Sequence, residues 1–136
     1  MKFIGFNFNK INIEKNSTNF KDLKIKTNIN ISEIKEIKSN FLKSNEELIN
    51  IQFTYNINYN PKIAKIELSG NVILADKPKI IKEVLKKWED KKMEEEFKIN
   101  LFNIILRKSN LKAMQLEDEM NLPLHISLPF LKKESK

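Results

Sequence analysis

The sequence predicts an α+β fold, a four-stranded antiparallel sheet with two helices packed on one face. Three observations predict it. Over residues 49–59, Ile49, Ile51, Phe53, Tyr55, Ile57 and Tyr59 take alternate positions, with Asn50, Gln52, Thr54, Asn56 and Asn58 between them. Successive side chains of a strand point to opposite faces, so this stretch has one apolar and one polar face. A return arm repeats the pattern with Ile66, Leu68, Gly70, Val72 and Leu74, and Asn60-Pro61 supplies the turn between the arms. Beyond Leu74 the apolar spacing changes to that of a helix. A sheet with one apolar face needs a cover, and helices follow it.

The remaining elements build out from that hairpin, whose arms are expected over residues 48–59 and 63–75. A first strand is expected over residues 3–13. Ile4, Phe6 and Phe8 alternate there, then Ile11 and Ile13 continue on the opposite parity, so a bulge is expected near Asn9-Lys10. Residues 14–22 are polar apart from Phe20 and read as a crossover. The second strand, residues 23–34, carries Leu23, Ile25, Thr27, Ile29 and Ile31 on one parity. Ile34 and Ile37 then drift out of phase, which marks its end or a second bulge. Residues 38–47 form another connection, with Phe41 and Leu42 at its tip.

A helix over residues 78–91 is expected to start at Asp76-Lys77-Pro78, with Asp76 capping free N–H groups. Ile80, Ile81, Val84, Leu85 and Trp88 make its apolar face. A longer helix, residues 95–120, follows Glu94, Glu95 and Glu96, whose charge suits its N-terminus. It carries one stripe of Phe97, Leu101, Ile104, Leu111 and Met114 and another of Phe102, Ile105, Ser109, Ala113, Leu116 and Met120. The sheet can cover only one face. The other is assigned to a partner subunit, with Leu101, Phe102, Ile105, Leu106 and Ala113 as the interface. Residues 121–131 contain two prolines and alternating Leu124, Ile126 and Leu128, so they read as extended, ahead of a solvated tail over 132–136.

Composition narrows the function classes. At 136 residues the chain has the size of one domain and carries no cysteine, which leaves no disulfide, thiolate metal site or cysteine nucleophile. The alternating, Asn-rich start is unlike a secretory signal, and no apolar run approaches the roughly 20 residues that span a bilayer. A cytoplasmic protein that does not insert into membranes is expected. The net charge of +7 invites a nucleic-acid reading, but acids and bases nearly cancel through the middle of the chain, and no basic face is concentrated. The abundance of Lys, Asn and Ile reads as coding bias.

No residue here stands out as catalytic. His125 is the single histidine and reads as a polar residue on the outward parity of a final strand. Two glycines, Gly5 and Gly70, cannot make a phosphate loop, and Gly70 within a strand suggests a bulge or the close approach of a helix. The acidic runs Glu94–Glu96 and Glu117–Glu119 read as solvated helix ends. Phe53, Tyr55 and Tyr59 share their parity with isoleucines, so they read as core rather than as a base-stacking platform.

The order of elements, with Asn19-Phe20-Lys21-Asp22-Leu23 in the crossover, Ile66-Glu67-Leu68-Ser69-Gly70 in the fourth strand and Leu122-Pro123-Leu124-His125-Ile126-Ser127-Leu128-Pro129 after the long helix, resembles the SecB family of export chaperones. The resemblance spans most of the chain. It implies an ATP-independent holdase without cofactor, assembled as a homo-oligomer (a dimer, or a tetramer with helices between two sheets). Its partners would be unfolded or precursor polypeptides, bound by Phe20 and Leu23 under the crossover and bordered by Leu124, Ile126, Phe130 and Leu131. SecB proteins are acidic and this chain is basic, so a SecA-type contact does not carry over. Two alternatives are a nucleic-acid-binding module and a SecB-like chaperone dedicated to one antitoxin.

Overall fold

A computed structural model describes residues 1–38 and 45–133; Phe41 and Leu42 lie outside the described residues, as do residues 134–136. Four strands are followed by two helices: β1 (Lys2–Lys15), β2 (Lys24–Ile37), β3 (Glu47–Asn60), β4 (Ala64–Asp76), α1 (Pro78–Glu89) and α2 (Glu95–Glu119). The strands form one antiparallel sheet in the order β1-β4-β3-β2. The central hairpin β3–β4 therefore lies between the other two strands, and the crossover from β1 to β2 must pass the hairpin's turn. Backbone bonds tie it there, from Asn16 N to Ile63 O (2.7 Å) and Ser17 N to Ile63 O (3.2 Å).

Alternation decides which face is buried. Ile49, Ile51, Phe53, Tyr55, Ile57 and Tyr59 on β3 are at most 2% exposed, as are Ile66, Leu68 and Val72 on β4. Each such side chain contributes about 1.5–3 kcal/mol relative to exposure, so this hairpin supplies most of the core. The opposite face is polar. Side-chain amides link Asn7 to Asn9 (2.8 Å), Asn9 to Asn71 (3.1 Å) and Asn71 to Asn50 (2.8 Å) across three strands.

The outer strands keep their apolar residues on the buried side by bulging. The β1–β4 register skips Asn9 between Phe8↔Gly70 and Lys10↔Ser69, which leaves Phe6, Phe8, Ile11 and Ile13 all opposite inward residues of β4. A further skip falls at Ile4. In β2 a skip at Ser32 returns Ile34 to the face of Ile31. The parity flips in the sequence are these bulges. Gly70 lies opposite the Asn9 bulge, where a Cβ would come within 2.0 Å of the Asn7 carbonyl oxygen.

Both helices lie on the apolar face. α1 buries Ile81, with Val84, Leu85 and Trp88 packed against the same core. Its start differs from the expected one: Lys77 is the N-cap residue and makes no side-chain cap bond. Asp76 Oδ1 accepts only from Lys77 N (2.7 Å), one residue before the helical N–H groups begin. Both helices end in the same motif, with Lys91 (φ 57°) and Asn121 (φ 55°) left-handed. The closing bonds run from Lys92 N to Lys87 O (3.0 Å) and from Leu122 N to Glu117 O (2.8 Å).

The buried row of α2 is Leu101, Ile105, Ser109, Ala113 and Glu117, with Leu116 beside it. Four residues advance a helix about 40° beyond a full turn, so this row winds around α2. It thereby stays against a twisted sheet. Three of the five residues assigned from sequence to a subunit interface are taken up by this packing. Leu101, Ile105 and Ala113 are at most 1% exposed within one chain, and Phe102 and Leu106 flank them half-buried against that core. The exposed large apolar residues of α2 are Ile99 (52% exposed) and Leu111 (64%).

The two glycines make a controlled test of this packing. Gly70→Ala should lower stability by about 2–3 kcal/mol in a denaturant titration, because the obstacle is backbone. Gly5→Ala, with nothing within 4 Å of its added Cβ, should be close to neutral. Equal effects at both sites would contradict the β1–β4 register.

Candidate functional site

At the C-terminal half of α2, three chain segments meet over Tyr55 and Tyr59: the crossover, α2 and the segment after it. The crossover closes on itself through Ser17 Oγ, which accepts from Asn19 N (3.1 Å), and Asn19 Oδ1, which accepts from Lys21 N (3.0 Å). This turn sets Phe20 and Leu23 half-buried against the core cluster that includes Tyr59, Ile63, Leu116 and Leu122. Lys15 Nζ donates to the Met120 carbonyl (2.9 Å) and also lies 5.9 Å from the Phe20 ring centroid. The last turn of α2 has no basic residue of its own, so Lys15 brings a cation from β1 to the helix's negative end.

The segment after α2 is held by a buried polar cluster. The Glu117 side chain is 0% exposed and that of His125 is 3% exposed. His125 Nδ1 lies 2.9 and 2.8 Å from the two Glu117 oxygens. A carboxylate only accepts, so Nδ1 carries the proton. On the ring's other side, Nε2 lies 2.8 Å from Asn110 Oδ1 and 3.3 Å from the Tyr55 hydroxyl. Tyr55 donates to Asn110 Oδ1 (2.6 Å). The Tyr59 hydroxyl donates to Glu117 and also lies 2.6 Å from the Pro123 carbonyl. Sheet, helix and following segment thus share one set of hydrogen bonds.

This cluster is closed to solvent and already paired, so it serves as a clasp rather than as a catalytic centre. Among the described residues no three His, Cys, Asp or Glu side chains converge as a metal site would require. The tyrosines feel the clasp strongly. Burial, then the charge of Glu117, pushes Tyr55 up to about 12. Tyr59 is raised further by burial, by its hydrogen bond to Glu117, by that carboxylate's charge and by Tyr55.

Two sequence readings are corrected here. His125 is not an outward residue of a final strand, because residues 121–133 form no strand and its ring is enclosed by Glu117, Asn110 and Tyr55. Glu117 does not belong to a solvated run with Asp118 and Glu119; it lies on the sheet-facing row of α2. The spacing of Ile105, Ser109, Ala113 and Glu117 was the available signal. Of the residues expected to bind polypeptide, Phe20 and Leu23 come together in one cluster, while Leu124 stands half-buried next to the clasp. Exposure then rises along the chain through Ile126 (37%), Leu128 (52%), Phe130 (72%) and Leu131 (100%). Phe130 and Leu131 stand away from the crossover cluster.

No protein-family model matches this chain, and no curated protein matches its sequence. Solved structures do match. One is a Mycobacterium tuberculosis protein, the Rv1957 SecB-like chaperone in complex with a ChAD peptide from the Rv1956 HigA1 antitoxin. It superposes with a TM-score of 0.52 at 10% identity, over 98% of this chain and 92% of that one. The fold is SecB-like. The likeness extends over nearly the whole length of both chains, although only about one residue in ten is shared.

The clasp makes a spectroscopic prediction, since the chain's two tyrosines both belong to it. Their raised values mean that the folded state keeps protons the unfolded chain releases near pH 10. The stability they contribute is complete below pH 10 and falls as pH rises toward 12 and beyond. A titration at 295 nm should show no tyrosinate in the folded protein near pH 10. The same titration in guanidinium should show both ionising there. A folded-state midpoint near 10 would contradict the clasp.

Proposed function

We propose that this protein is an ATP-independent chaperone of the holdase type, which captures unfolded polypeptide without making or breaking a covalent bond. The observation that carries the reading is the half-exposed apolar patch of Phe20 and Leu23, held by the crossover; Leu124 and Ile126, which flank His125 on the clasped segment, add to it. Exposed apolar surface of this kind captures non-native chains. Phe130 and Leu131, farther along the same segment and exposed, offer separate apolar surface to longer clients. The SecB-like fold supports the reading, and the mycobacterial neighbour's complex with an antitoxin peptide supports a polypeptide as the ligand.

The finer features follow from the same reading. The protein acts in the cytoplasm as a homo-oligomer, a dimer or a dimer of dimers. Ile99 and Leu111, the exposed apolar residues of α2, are the part of that helix left for a partner subunit. Clients come from a general pool of unfolded or precursor chains. A service dedicated to one antitoxin is the second reading, favoured by the peptide in the neighbouring complex.

Light scattering from a slowly refolding, unrelated client tests this. Stoichiometric protein should suppress aggregation without nucleotide. Absence of protection for unrelated clients, combined with protection of one antitoxin, would turn the reading to the dedicated form. Absence of both would end it. Phe20→Ser should weaken capture several-fold while costing folding only on the order of 1 kcal/mol, since Phe20 is half-buried at the margin.

A further inference from the structure

A second apolar concavity lies at the opposite end of α2. It opens between α1 and the first turns of α2, with a volume of about 320 Å³, near the lower limit of the roughly 300 Å³ at which ligand pockets begin. Leu74, Val84, Phe97, Leu101 and Ile104 form its apolar lining. Its rim is acidic. Glu94 and Glu96 line it directly and Glu83 continues the edge, against Lys87 and the N-terminal ammonium of Met1, which is paired with Asp76 (3.5 Å).

The described chain carries one segment of complementary character. Residues 126–133, Ile-Ser-Leu-Pro-Phe-Leu-Lys-Lys, place two lysines directly after a Pro-stiffened apolar run. Phe130 and Leu131 are 72% and 100% exposed, and Lys132 Nζ stands 5.3 Å from the Phe130 ring centroid. Apolar surface of that extent on an unpaired segment calls for a cover. The segment's own body does not provide it. His125 is pinned at Asn110 and Glu117, and exposure climbs with each apolar residue beyond it, so the chain leads away from its own surface.

We propose that the groove between α1 and α2 receives residues 128–133 of a second copy of this chain, with Phe130 and Leu131 on the apolar lining and Lys132 and Lys133 against Glu94 and Glu96. Each copy offers both groove and segment, so the exchange closes as a twofold dimer. The groove is remote from Phe20 and Leu23. Capture at Phe20 and Leu23 therefore stands apart from this docking and either can fail without the other, while Phe130 and Leu131 serve clients only in copies whose segment is undocked.

Because the chain has no cysteine, single substitutions give cross-linking without background. Asn100→Cys, at the groove, is mixed with affinity-tagged Leu128→Cys under mild oxidation. The expected product is the mixed dimer, in excess over that formed when Gln52→Cys, on the outer sheet face, replaces Asn100→Cys. Glu94→Lys with Glu96→Lys should lower the yield roughly tenfold, and Lys132→Glu with Lys133→Glu in the other copy should restore it. No excess over the Gln52→Cys control would overturn the proposal. So would a double variant, Asn100→Cys with Leu128→Cys, that cross-links only within one chain. Cross-linking of the Asn100→Cys variant to a cysteine-bearing unfolded client, but not to the second copy, would also overturn it.

Discussion

A carboxylate with no exposed surface is the constraint to which the C-terminal half of this protein is fitted. Glu117 has to be paired, because an unpaired buried charge costs several kcal/mol. Its partners come from two directions: Tyr59 from the sheet and His125 from the segment beyond α2. Removing one partner of such a buried pair typically costs about 3–5 kcal/mol, more than any single half-buried contact at the margin contributes. The segment after α2 is therefore held by polar bonds whose geometry is specific, while its apolar residues remain uncommitted. That division of labour leaves Leu124 half-buried and Ile126 exposed on either side of His125.

The twist of the sheet governs what lies at the two ends of α2. A buried row that steps by four residues winds around the helix, so α2 meets the sheet on a different side at each end. At one end α1 shares the cover and a groove opens between the helices. At the other, the crossover and the clasped segment complete the cover. The core divides accordingly, one cluster built around Phe53 and Ile105 and another around Tyr59 and Ala113. The proposed polypeptide site and the proposed docking groove belong to different clusters.

What could be read from the sequence was the part fixed by local periodicity. The alternation over β3 and β4 defined the core face, and the parity flip near Asn9 defined a bulge, because both depend only on where neighbouring side chains point. Gly70 was marked as a bulge or as the place where a helix approaches; it lies opposite the β1 bulge, and what approaches is not a helix but the Asn7 carbonyl of β1. The side of α2 that faces the sheet was not legible. Two apolar stripes give no single preferred face, and the choice is made by the sheet's twist. The clasp was hidden for a related reason. Glu117 and His125 are eight residues apart in a stretch that reads as polar, and only the left-handed Asn121 turns the chain so that they meet.

The central claim is that clients are held at the margin of the sheet, between the crossover and the clasped segment. Amide hydrogen exchange with and without an unfolded client tests it most directly. The account predicts slower exchange on client addition at residues 17–23 and 122–131 together, with the central strands β3 and β4 unchanged. Protection confined to α1, or gained across the polar face of the sheet, would contradict it.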